Sequence, residues 1–200
     1  MLKHIKTIKQ ALALGLVITI LLSLSSFEAN CEELRQKVFR LHIIANSNSE
    51  FDQTLKLKIR DAVISKTGDI YDKCTSVDEA KQKAEENKKI IYDTVKEVLE
   101  NANVNYDVEI KIGKSFFDTR HYETFSLPAG EYEALNIKIG EAKGKNWWCV
   151  MYPSLCIASS GAEIGDVASE KSAEIAQNPH KFVMRFKVVE IYEQLKRRFS

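Results

Sequence analysis

The residues of this chain best suited to chemistry are Cys149 and Cys156, which bracket the segment CVMYPSLC. In an oxidising compartment such a close pair is a disulfide candidate, and closing so short a loop contributes roughly 2–2.5 kcal/mol on the chain-entropy account. In a reducing one the same pair is two buried thiols. A third reading is nucleophilic, because a cysteine beside a histidine is held as thiolate, and His42 and His121 are available for that role. Nothing in the spacing sets either ring beside either sulfur. The remaining cysteines, Cys31 and Cys74, complete no C-x2-C pair, so no metal site is expected.

Trp147 and Trp148 suggest a sugar-stacking platform, or else a strand that sends one indole into the core and the other to the opposite face. Asp52, Asp61, Asp118, Glu131 and Glu133 offer many carboxylate pairs, none of them specific. No phosphate-cradling glycine loop, His-Glu-x-x-His pattern or nucleophile elbow occurs. Gly140 to Lys145 lacks the Lys-Ser/Thr ending of a phosphate loop and reads as a hairpin connection between strands. The residues therefore nominate no catalytic group and no cofactor.

The chain has 200 residues, 44% of them hydrophobic, enough for one domain with a real core. Its 29 basic and 28 acidic residues nearly cancel, so no overall field draws in nucleic acid. The first segment points to export. Lys3, Lys6 and Lys9 precede an uncharged run, Gln10 to Phe27, whose most apolar part is ALALGLVITILL, and small residues follow at Ser23, Ser25, Ser26 and Ala29. That is the layout of a secretory signal, or of a membrane anchor if it is retained, with the basic end inside and the body outside. A cut near Ala29 would leave a nearly neutral body.

The body reads as α+β, with a mostly antiparallel sheet, helices packed on one face and a C-terminal amphipathic helix. Val38 to Asn46 alternates as a strand, with Phe39, Leu41, Ile43 and Ala45 on one face and Arg40, His42 and Asn46 on the other. Leu55, Ile59, Ala62 and Val63 recur at helical spacing from Glu50 to about Lys66. Ser76 and Glu79 form a capping-box pattern opening one long helix to about Asn101. Val108 to Ile112, a segment with Phe116, Phe117 and Tyr122, Leu135 to Ile139, and Trp147 to Ile157 then follow as strands. Four stretches result: 1–30, signal peptide or N-terminal membrane anchor; 34–160, a single α+β signalling domain; 161–180, a polar linker; and 181–200, the C-terminal helix ending in Lys196-Arg197-Arg198.

Two blocks carry a resemblance. FRLHIIANSNSEFDQTLKLKIRDAVI (Phe39 to Ile64) and LPAGEYEALNIKIGEAKGKNWWCVMYPSLC (Leu127 to Cys156) closely resemble the stage II sporulation protein R family of endospore-forming bacteria. The resemblance covers roughly Leu34 to Ile157. It implies a signalling protein exported from the forespore into the space between the forespore and mother-cell membranes. There such a protein activates a membrane-embedded aspartic protease that processes the precursor of sigma-E. On that basis the chain is a messenger rather than a catalyst, and the protease's extracytoplasmic face is its partner, with transient membrane contact through the leader or the C-terminal helix. An exported cysteine-dependent hydrolase and a cell-wall-binding module are the alternatives. The expected contact patch is Trp147, Trp148 and Tyr152 with Arg40, His42 and Asn46, since interface hot spots favour Trp, Tyr and Arg.

Overall fold

A computed structural model describes residues 2–155 and 161–199, with side chains from residue 8 onward. Helix α1 (Leu2–Gln36) runs into strand β1 (Phe39–Ile44), followed by helices α2 (Glu50–Tyr71), α3 (Val77–Glu86) and α4 (Lys88–Asn101). Strands β2 (Val108–Phe117), β3 (Arg120–His121), β4 (Ser126–Leu127), β5 (Gly130–Ile139) and β6 (Asn146–Tyr152) come next, then α5 (Glu170–Gln177) and α6 (Val183–Phe199). The main sheet has the order β2-β5-β1-β6, with β1 parallel to β5 and the other two pairings antiparallel; β3 and β4 form a small separate ribbon. The α+β architecture and its C-terminal helix are as the pattern predicts.

Alternation decides what each face meets. Phe39, Leu41 and Ile43 of β1, with Leu135, Ile137 and Ile139 of β5, pack under α2, α3 and α4 against Leu55, Ile59, Val63, Ile91, Val95 and Leu99. Each fully buried Leu, Ile or Phe contributes roughly 1.5–3 kcal/mol, so Ile59→Ala would be felt across the layer. Half of the opposite face is covered by Leu34 of α1, by Phe125 and Leu127 of the small ribbon, and by Ala173 and Ala176 of α5. The other half is open.

Several boundaries differ from the sequence reading. The helix expected from Ser76 to Asn101 is broken at Asn87, whose side-chain amide donates to the Lys83 carbonyl at 2.9 Å and competes with the helical ladder. On either side of it the buried stripe continues, with Ala80 and Ala84 from α3 and Ile91, Val95 and Leu99 from α4. Ser76 does cap α3, accepting from the Glu79 amide at 3.1 Å, but the Glu79 carboxylate reaches back to the amide of Thr75 instead of Ser76. Gly140 to Lys145 is no hairpin, because β1 lies between β5 and β6 and the connection must cross its end. The stretch 161–180 that reads as a polar linker holds α5, which buries Ala173, Ile175 and Ala176 and is tied to α1 by Ser169 and Ser172 donating to Glu33 at 2.7 Å.

Helix α1 changes character along its length. From Ile8 to Leu22 every side chain is exposed, and the helix is long and apolar enough to cross a membrane by length and composition. From Phe27 it becomes amphipathic, and Phe27, Cys31 and Leu34 are buried at the helical spacing of one face. Helix α6 lies along this packed portion, with Phe186 against Phe27 and Glu193 near Arg35, so the two helices run in the same direction. A cut near Ala29 would therefore remove Phe27 from the packing it makes with α6.

Candidate functional site

The sheet face that α2, α3 and α4 leave free receives only part of the expected patch. β1 sends Arg40 and His42 to it, and the register sets Trp148 of β6 on one side of His42 and Asn136 of β5 on the other. The imidazole stacks on Trp148, with centroids 5.8 Å apart and planes 10° from parallel, and lies 5.7 Å from the Phe117 ring. His42 Nδ1 is 3.2 Å from Asn136 Oδ1, and Nε2 is 3.1 Å from Asn146 Oδ1. The Asn136 amide nitrogen faces the carbonyls of Lys111 and Ala134, and its oxygen also accepts from the Ser115 hydroxyl at 3.1 Å. Both ring nitrogens thus face an amide oxygen, an arrangement in which the protonated ring donates to each. Burial, and secondarily Arg40 and Arg120, push the His42 pKa below its ordinary value of 6.5 against the pull of the two asparagines.

Arg40 is fully buried. Its guanidinium carbon lies 4.0 Å from the Phe117 ring centre and 4.7 Å from that of Tyr132, and Nη2 donates to the Tyr122 hydroxyl at 2.6 Å. Nε and Nη1 have no hydrogen-bond partner, and no carboxylate among the described residues forms an ion pair with Arg40. Desolvated cation–π contacts of this kind are worth about 2 kcal/mol, and they hold the charge in place of an anion. Beside it Arg120 rests 3.4 Å from the Trp148 ring centre, pushed below its ordinary pKa first by burial and also by Arg40.

The other expected residues go elsewhere. Trp147 and Tyr152 face the helices; Arg60 lies 4.4 Å from the Trp147 ring. Asn46 is a structural tie at the end of β1, donating to Asp52 at 2.8 Å and accepting from the Glu141 amide at 3.0 Å. That tie, with the Gly144 amide donating to the Ala45 carbonyl at 2.9 Å, is what carries the β5–β6 connection across β1. Hydrogen bonds from Ser47 and Asn46 keep the Asp52 carboxyl below its ordinary range although burial pushes it up. Cys149 is disulfide-bonded, whereas Cys31 and Cys74 are free; Cys156 lies outside the described residues. Cys149 points to the helix side of the sheet and His42 to the other, so the sheet separates them. His121 does meet a hydroxyl, Ser126 Oγ at 2.7 Å, but Ser126 is fully buried and out of a substrate's reach.

Sequence reasoning missed Phe117, Arg120, Tyr122, Asn136 and Asn146. The alternation of β5 does signal that Asn136 and Lys138 share a face, but only the register shows that this face adjoins His42. Among the described residues no group of three His, Cys, Asp or Glu could hold a metal ion.

These features describe an α+β domain at the end of one membrane-length helix, with a polar, aromatic-lined sheet face left partly open. The sequence model of the family described as stage II sporulation protein R (spore_II_R) matches residues 35–162, and the chain belongs to that family. It is similar to stage II sporulation protein R of Bacillus subtilis (strain 168), 39% identical over 120 residues, which is 60% of this chain and 54% of that relative. The aligned stretch thus spans about half the length of the relative. No solved structure matches.

Proposed function

We propose that this chain is a sporulation signal delivered outside the cytoplasm, where it activates a membrane-embedded aspartic protease that processes the sigma-E precursor in the mother cell. The observation that carries this reading is the family membership of residues 35–162, joined to an apolar helix whose last turns are built into the same domain. Retained as an anchor, a helix continuous with the domain would keep the folded body near the membrane in which such a protease sits. The start of α6, where Val183 and Met184 are exposed, lies nearest the apolar stretch of α1 and suits transient membrane contact.

Activation requires differential affinity for the active form of the protease; moving a population from 1:99 to 99:1 takes ~5.5 kcal/mol. The open sheet face around His42 and Trp148 is the surface available for it. A thiol hydrolase is disfavoured by the disulfide at Cys149 and by the sheet between it and His42. A sugar platform is disfavoured because the Trp148 ring is already stacked on His42 and carries Arg120.

The test is co-expression with the candidate protease and the sigma-E precursor in a non-sporulating host, with and without the leader. Precursor cleavage that requires the exported form is the expected result. No cleavage, with every protein expressed and the chain exported, would refute the reading. Trp148→Ala and Arg120→Ala should reduce cleavage without loss of fold; full activity in both would exclude this end of the face.

A further inference from the structure

The open half of the sheet face continues around the edge of β2. Among the described residues this strand pairs with β5 alone, so its outer edge offers unpaired N–H and C=O groups on alternate residues. A cleft of about 480 Å³ follows that edge, lined by six consecutive β2 residues, Lys111 to Phe116, drawn from both faces of the strand. Residues from both faces line a cleft only when the edge itself faces it. Midway along, Gly113 adopts φ +147°, and the position of a Cβ there would open onto empty space. A strand glycine with room beside it marks a place where another backbone can approach closely.

The cleft is also strongly charged. Lys88, Lys111, Lys114, Lys138 and Arg197 line it against a single carboxylate, Glu85. Lys111 and Lys138 share Glu109, at 2.6 and 3.2 Å, and Lys88 is 3.9 Å from Glu85. Lys114 and Arg197 have no ion-pair partner among the described residues; Glu133, opposite Lys114 on β5, is engaged by Lys81 at 3.0 Å. On the sheet-face side the cleft ends at His42 and Asn136.

We propose that the β2 edge binds an extended acidic segment of a partner protein, which adds as a further strand beside Lys111 to Phe116 and sets its carboxylates against Lys114 and Arg197. Main-chain pairing supplies affinity in such strand addition, and the flanking charges select the sequence. A lipid surface fits less well. Helix α6 runs alongside α1 away from its apolar stretch, passing Phe27 at Phe186 and Arg35 at Glu193. At 1.5 Å per residue this leaves Arg197 about 20 Å beyond the end of the apolar run. The proposal rests on the reading of this chain as a messenger only in taking the membrane protease as the protein that contributes the segment.

The experiment uses the full chain in mild detergent and a fluorescent peptide of alternating Glu and Val matched to β2 in length. Comparators are the same peptide with Lys for Glu, the acidic peptide N-methylated on alternate residues in either phase, and vesicles containing phosphatidylglycerol. Anisotropy should show the acidic peptide bound at least about tenfold more tightly than the basic one. One N-methyl phase should abolish binding and the other leave it. Lys114→Glu with Arg197→Glu should weaken it by about tenfold or more, with unchanged circular dichroism, and Lys114→Arg should retain it. Equal binding of both N-methylated peptides would reduce the site to bare charge and overturn strand addition. Vesicle binding that this double variant abolishes, without peptide binding, would assign the cleft to lipid and overturn the proposal. Loss of solubility in the variant, with no peptide bound by the native chain, would show that the lysines serve only to keep the edge from self-pairing. In the co-expression assay the double variant should fail to support precursor cleavage. Cleavage equal to that of the native chain would sink this inference and leave the messenger reading standing, whereas no cleavage with the native chain sinks the latter alone.

Discussion

Arg35 and Arg40 are both buried, on either side of the turn where α1 gives way to β1, and they are satisfied in opposite ways. Arg35 is an ionic hub. It pairs with Glu28, with Glu32 at 2.9 Å and with Glu193 at 3.7 Å, and donates to the Ala129 carbonyl at 2.9 Å. Its side chain passes so close to Gly130 that a Cβ there would collide with it, which accounts for glycine at φ +144°. Arg40 has instead two aromatic rings, one tyrosine hydroxyl and two donors left over. The first arginine joins α1, α6 and the start of β5 into one body; the second stores a positive charge beneath the face that has room for a partner. Carboxylates make the assembly joint, whereas among the described residues Arg40 has no carboxylate beside it and the open face stays cationic there.

The largest expected effect tests the hub. Arg35→Met leaves the buried Glu193 and the half-buried Glu28 without their cation and should lower the unfolding free energy by about 3 kcal/mol, read by denaturant titration of the full chain in detergent. Loss of less than about 1 kcal/mol would mean that water or Lys196 already compensates those acids. Next comes the same joint approached from α1. A chain beginning at Ser25 should unfold as the full chain does, whereas one beginning at Asn30 lacks Phe27 and Glu28 and should be less stable by about 3 kcal/mol, the usual cost of deleting a buried phenylalanine. Equal stability would show that the packing of Phe27 against Phe182 and Phe186 is dispensable.

Arg40→Met should behave differently from Arg35→Met. Arg40→Met loses the cation–π contacts and the bond to Tyr122 but also removes the burial cost of a charge with no ionic partner, so a change within about 1 kcal/mol in either direction is expected. A cost equal to that of Arg35→Met would erase the contrast between the two arginines. The smallest effect is a pH dependence. Because the folded His42 pKa is depressed below 6.5, the unfolded chain takes up the proton first as pH falls through 6.5. His42 therefore contributes a loss of stability between 6.5 and its folded pKa, and no slope above that window. His42→Gln should flatten this part of the stability profile. An unchanged slope would place its origin in other groups.

Much of this organisation is legible in the chain. The change of period from 3.6 to 2 after Asn101 locates the strands, and the alternation in Val38 to Asn46 correctly opposes Phe39, Leu41 and Ile43 to Arg40 and His42. Patterning also separates the two tryptophans onto opposite faces. It does not reveal that Asn46 serves the crossing loop, because that depends on β1 lying between β5 and β6. Nor does it reveal the break at Asn87, where both halves keep one helical stripe and only the backbone angles of a single residue depart from the helix.

The sequence alone determined the properties carried by local order: an apolar N-terminal helix, an α+β domain, a mixed strand face at Arg40 and His42, and the blocks that place the chain in its family. Only the tertiary structure decided which side chains meet. Strand order is set by long-range pairing between segments about a hundred residues apart, and local periodicity is indifferent to it. That pairing put Asn136 and Trp148 on either side of His42 and, among the described residues, left Arg40 without a carboxylate while Arg35 gathered its own and made β2 a free edge.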